Sequence, residues 1–160
     1  WSVLDREAGQ PHLVAAGTIT TSTKAKHALR LTDLRREILG LMTAYRPTDM
    51  AIERLFFASN ITPAMSVSEA KGVILCSAAE QGLNIHEYTP LQVKMTITGY
   101  GKATKRQLID MLLHHLPGIA LPTQNDAADA IAIAVTHITY TKIVNQVSVA
   151  PANTAHVSAR

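Results

Sequence analysis

Residues 25–53 read AKHALRLTDLRREILGLMTAYRPTDMAIE, a helix handed directly to a short strand. Ala28, Leu31, Leu34, Ile38, Leu41 and Tyr45 recur at spacings of three and four, which places them on one face at 3.6 residues per turn. Pro47 cannot continue that helix, and Asp49-Met-Ala-Ile-Glu53 has the apolar content of a strand with buried character. Downstream, Pro63 opens a second helix predicted over 63–81, with Gly82 as its C-cap, and 84–88 is a further strand. Upstream, 1–4 and 12–20 are β-rich and flank the turn Glu7-Ala8-Gly9-Gln10, hence a hairpin. Helical patterns occupy 90–98, 104–116 and 125–141, and a loop from Leu116 delivers the chain to the last of them. A hairpin followed by alternating helices and strands predicts an α/β fold, a mixed sheet flanked by helices. Residues 1–141 are expected to form one domain. Residues 142–160, filled with Ser, Ala, Asn, Thr and Pro, are expected to be a loose tail.

Composition narrows the function classes. The chain has 160 residues, 47% hydrophobic and 17% charged, which suits one domain and excludes a disordered chain or a solvated coiled coil. Charged residues interrupt every apolar stretch well before the ~18 residues of a membrane span. The opening WSVLDREAGQ lacks the basic start and apolar stretch of a secretory signal. Cys76 is alone, which excludes an internal disulfide and a cysteine-based zinc site and fits the cytoplasm. Lys and Arg number 15 against 12 Asp and Glu, a balance that permits a nucleic-acid partner without requiring one.

Three groups of residues carry possible chemistry. Asp126 and Asp129, three apart on the helix that begins at Asn125, sit about 60° apart around its axis and share a face. Asn125 or Asp126 can simply cap the helix, with Asp129 favouring its positive end. A functional role needs a third carboxylate, and Glu53 at the end of its strand offers one. A glutamate there is otherwise just the first polar residue of a loop. Three carboxylates would suit Mg²⁺, and two such ions roughly 4 Å apart can activate water against a phosphodiester. The second group is Lys94, Lys102, Lys105 and Arg106 around Gly99-Tyr-Gly101, where cations neutralise phosphate and glycine lets backbone approach it; the other reading is a solvated loop between helices. The third is Phe56-Phe57 after Glu53: Phe57 fits the core, while an exposed Phe56 could stack on an unpaired base. The seven histidines form no HExxH pattern, and His137 is expected to be structural.

Four ordered motifs resemble those of RuvC, the bacterial Holliday-junction resolvase family with a ribonuclease-H-like fold: AIERLFF at 51–57, EAKGV at 69–73, HEYTPLQVKMTITGYGKATKRQ at 86–107 and NDAADAIAIAVTH at 125–137. The resemblance runs from residue 1 to about 141. It implies a structure-selective endonuclease that nicks symmetry-related strands of four-way DNA junctions by metal-activated water attack. Glu53, Asp126 and Asp129 match the family's acidic metal ligands, for Mg²⁺ or Mn²⁺, two ions per site. Lys94 and Lys105 match its lysines near the DNA backbone, Lys105 within the catalytic set, and Phe56 its base-stacking aromatic. A homodimer follows from symmetric cutting, and RuvA and RuvB are implied as branch-migration partners. The helix at 63–81, with Met65, Val67, Val73, Ile74 and Leu75, either contributes to the dimer interface or fills the monomer core. One departure is large. The family opens with a central strand whose aspartate is the first metal ligand, whereas Trp1-Ser-Val-Leu-Asp5 looks like the family's second strand. Asp5 sits at the wrong end to replace that ligand. The expectation is therefore an upstream strand in the middle of the sheet. Two alternatives stay open: a nucleic-acid-binding protein of this fold without catalysis, and a related RNA-processing nuclease.

Overall fold

In the computed structural model the described residues are 1–7, 10–55, 61–122 and 125–148, with backbone alone at 7, 61–63 and 142–148. The apolar face read around 25–45 forms helix α1 (His27–Tyr45), which buries Ile38 and Met42. It ends at Arg46 in the left-handed conformation (φ 46°), whose N–H donates to the Met42 carbonyl one residue before Pro47. Strand β3 (Asp49–Glu53) leaves there, and α2 (Ile61–Glu80) returns the chain to β4 (Asn84–Tyr88). Helix α2 starts two residues before Pro63, which a first turn tolerates because its N–H has no intrahelical partner there. It closes as the glycine pattern requires. Gly82 has φ 73°, its N–H donates to the Ala79 carbonyl, and the Leu83 N–H donates to the Ala78 carbonyl.

β3 and β4 pair in parallel, with Asp49 opposite Asn84, Ala51 opposite His86 and Glu53 opposite Tyr88. The two-residue period sorts their faces. Met50 packs with Ile38, Met42, Ala78 and Ile74 under α1 and α2. Ala51 and Tyr88 pack on the opposite side against Leu112, Ile131 and Val135. That second layer is built by α3 (Pro90–Thr98), α4 (Lys105–His115) and α5 (Asn125–Ser148). Thr89 with Gln92, and Thr104 with Gln107, form reciprocal capping boxes that start α3 and α4. Among the described residues, no helix is long and apolar enough to cross a membrane.

Two expected element ends need correction. The hairpin exists as β1 (Ser2–Glu7) against β2 (Gln10–Ala16), but β2 stops at Ala16 rather than Thr20. The described strands form an antiparallel pair, β1–β2, and a parallel pair, β3–β4, flanked by helices, in keeping with the expected mixed α/β arrangement. A groove of about 1180 Å³ lies between the two pairs, lined by Trp1, Leu4, Met50, Ile52 and Ile133 among others. Helix α5 packs on both pairs. Lastly, α5 continues to Ser148, seven residues past Thr141, because extending an established helix requires fixing only one residue per added hydrogen bond.

Candidate active site

Glu53 is the last residue of β3, and Asp126 and Asp129 occupy the first turns of α5. All three line the groove between the strand pairs, so one strand end and one helix start deliver three carboxylates to a common space. Small residues seat α5 closely there: Ala127 and Ala128 are buried, as are Ile131, Ala132 and Val135.

Lys105, the first residue of α4, places Nζ 3.1 Å from Asp129 Oδ2, with both side chains about half exposed. The candidate cation and the candidate ligand are thus neighbours. Lys94 lies half-buried on α3, and Lys102 and Arg106 are exposed. These three make no ion pair among the described residues. Phe56 and Phe57 lie outside the described residues.

The glycines at 99 and 101 have a local role that differs from phosphate approach. Gly99 is the left-handed C-cap of α3 (φ 71°), and its N–H donates to the Met95 carbonyl. A Cβ on Gly101 would collide with the Leu91 side chain and press on Met95. Both are explained by the chain itself.

Sequence reasoning passed over Lys71, the central residue of EAKGV. Its ammonium donates to the Glu53 carbonyl at 2.9 Å and to the Glu87 carboxylate. Only 14% of its side chain is exposed, so it is a cation largely buried behind the end of β3. Hydrogen bonding to Lys71 holds the Glu87 carboxyl below the usual range, with Arg54 Nε adding charge from 3.6 Å. A lysine inside an otherwise apolar helical stretch was the available signal. His137 is buried at the other end of the groove, with Nδ1 2.9 Å from the Tyr88 hydroxyl.

An α/β fold with a cluster of carboxylates at a strand end and a helix start defines a ribonuclease-H-like class. The sequence profile of crossover junction endodeoxyribonuclease RuvC matches residues 1–137. The crossover junction endodeoxyribonuclease RuvC of Roseiflexus sp. is 42% identical over 137 residues, covering 86% of this chain and 82% of that protein. The one from Brevibacillus brevis is 40% identical over the same length, covering 86% and 82%. The structure of T. thermophilus RuvC in complex with Holliday junction substrate superposes with a TM-score of 0.83 at 29% identity, covering 89% of this chain and 87% of that one. The chain belongs to the RuvC family of crossover junction endodeoxyribonucleases.

Proposed function

We propose that this chain is a structure-selective endonuclease that nicks symmetry-related strands of four-way DNA junctions. Family membership and the likeness to a RuvC solved with a Holliday junction support the reading. The observation that carries it is the convergence of Glu53, Asp126 and Asp129 on one groove, with Lys105 against Asp129.

The donor set fits Mg²⁺ or Mn²⁺, since all three groups offer hard carboxylate oxygens. Glu53, Asp126 and Asp129 would hold such ions, two per site in this reading, which when bound would supply Lewis-acid polarisation of the phosphate and a lowered pKa for a bound water. The chain's own residues position the substrate. Lys105 sets one positive charge beside Asp129, and Lys94, Lys102 and Arg106 hold the backbone by charge. Phe56 stacks on a base unpaired at the crossover. Lys71 fixes the strand end that presents Glu53.

Residues 1–141 are the resolvase domain in this reading. Symmetric cutting calls for a homodimer. On α2, Ile74 packs inward while Met65 and Val67 are 59% and 50% exposed, which makes the early part of the helix the candidate interface. RuvA and RuvB are the proposed partners, and the cytoplasm the compartment.

The test is cleavage of a labelled four-way junction, with structured RNA as comparison, in Mg²⁺ and after chelation. Metal-dependent paired nicks in junction DNA are expected. Tight junction binding without any cleavage by the native protein would favour the non-catalytic reading. Preferential cutting of RNA would favour the RNA-processing one.

A further inference from the structure

His137 meets two side chains at the end of β3–β4 away from Glu53. Asp49 opens β3 and His86 lies in the middle of β4. The register places both on the face covered by α5. His86 Nε2 is 3.4 Å from Asp49 Oδ1, and His137 Nε2 is 3.9 Å from the same oxygen. The three donor atoms all lie within 4.8 Å of one another, and the imidazole centroids are 4.4 Å apart.

These separations are too long for good hydrogen bonds, whose N···O distances run about 2.7–3.2 Å. They suit ligands that share an ion. Zn²⁺ bound at ~2.0–2.1 Å in a tetrahedron sets its ligands roughly 3.3–3.5 Å apart, so a small contraction closes the set. Two of the three side chains, Asp49 and His137, are also oriented by groups outside the trio. The Thr48 hydroxyl donates to Asp49 Oδ2 at 2.6 Å, and the Asn84 amide donates to Oδ1 at 3.2 Å. The Tyr88 hydroxyl is 2.9 Å from His137 Nδ1. With Nδ1–H donating to Tyr88, the Nε2 lone pair of His137 faces Asp49, the arrangement that outer partners impose on ligating histidines. His137 is 11% exposed against 35% for Asp49 and 39% for His86, so the inner wall is closed while ion and water have access.

We propose that Asp49, His86 and His137 form a second metal site, at the end of the groove away from the three carboxylates. Two imidazoles and one carboxylate suit a borderline transition ion such as Zn²⁺ rather than Mg²⁺. Water takes the fourth position. The ion pins α5 to β3–β4 about 16 Å along the helix from Asp126, and so steadies the helix that carries two of the carboxylates.

The test uses the full chain, stripped by chelator and held in excess Mg²⁺ to occupy the carboxylate groove. Zn²⁺ is titrated against a chromogenic chelator, Co²⁺ is followed by its visible spectrum, and Tm is read with and without Zn²⁺. One equivalent of Zn²⁺, a tetrahedral Co²⁺ spectrum and a raised Tm are expected. Tyr88→Phe should weaken binding roughly 10–100-fold, the usual effect of removing an outer partner, and His86→Gln by more. Asp49→Asn, which preserves the contacts to Thr48 and Asn84, gives a second ligand variant if His86→Gln folds poorly. Asp126→Asn should leave the equivalent in place. Absence of Zn²⁺ binding, or binding abolished by Asp126→Asn and untouched by both ligand variants, overturns the proposal.

Discussion

Asp126 and Asp129 separate charge from shape. Asparagine keeps a similar volume and caps helices about as well as aspartate, yet it lacks the negative charge that holds a hard divalent ion against water. Asp126→Asn and Asp129→Asn should each abolish junction cleavage, keep junction binding, and shift stability by no more than about 0.5 kcal/mol. Gel shifts alongside cleavage assays check this, and near-normal cleavage in both variants would remove them from the metal site. Lys71 acts at the same scale but through Glu53. Lys71→Met keeps the apolar stem and removes the donor to the Glu53 carbonyl and Glu87. The expected result is a stability loss of ~1–3 kcal/mol, typical of hydrogen bonds to charged groups, with kcat reduced and KM little changed. Unaltered kcat in a destabilised variant would make Lys71 merely structural.

Helix α4 begins against the rule for helix termini. Lys105 and Arg106 stand in its first turn, where the helix dipole is positive and cations are disfavoured by about 0.3–1 kcal/mol each. The Thr104–Gln107 capping box satisfies backbone donors there, and Asp129 pairs with Lys105, but Arg106 has no such compensation among the described residues. Arg106→Glu should therefore raise thermal stability by about 0.3–1 kcal/mol while weakening junction binding. A binding loss without any gain in stability would count against this account of the helix end. On α3, Lys94→Ala should lower the slope of log K against log salt by about 0.9, one phosphate contact. Lys105→Ala should lower the slope similarly and also slow cleavage, because its ammonium sits beside Asp129. Titrations at several salt concentrations distinguish these cases, and an unchanged slope for Lys94→Ala would mark it as a solvated helix residue.

Across the whole molecule, Glu53, Asp126 and Asp129 stand where β3 ends and α5 begins, with both strand pairs packed about that helix, so a scissile strand must reach a recessed site. Bases beside the crossover have to separate for that. Phe56→Ala should therefore cut cleavage of an intact junction strongly, by the equivalent of roughly 1–3 kcal/mol of stacking, and cleavage of a mismatched junction less. Matched substrates differing only in two unpaired bases give the measurement, and equal losses on both would assign Phe56 to packing.

What the sequence by itself determined is local. The 3.6-residue period of α1, the Pro47 stop, the Gly82 cap and the short apolar run of β3 each depend on neighbours within a few residues, so each element was legible. The acidic triad was legible as candidates, because strand ends and helix starts are local features too. Which groups meet was settled by the tertiary structure. Lys71 reaches the Glu53 carbonyl across 18 residues, and Lys105 reaches Asp129 across 24. Asp49, His86 and His137 come from three different elements. Periodicity says which face of a strand is buried, but strand pairing and helix docking decide what that face touches, and those depend on contacts made after distant segments close on one another.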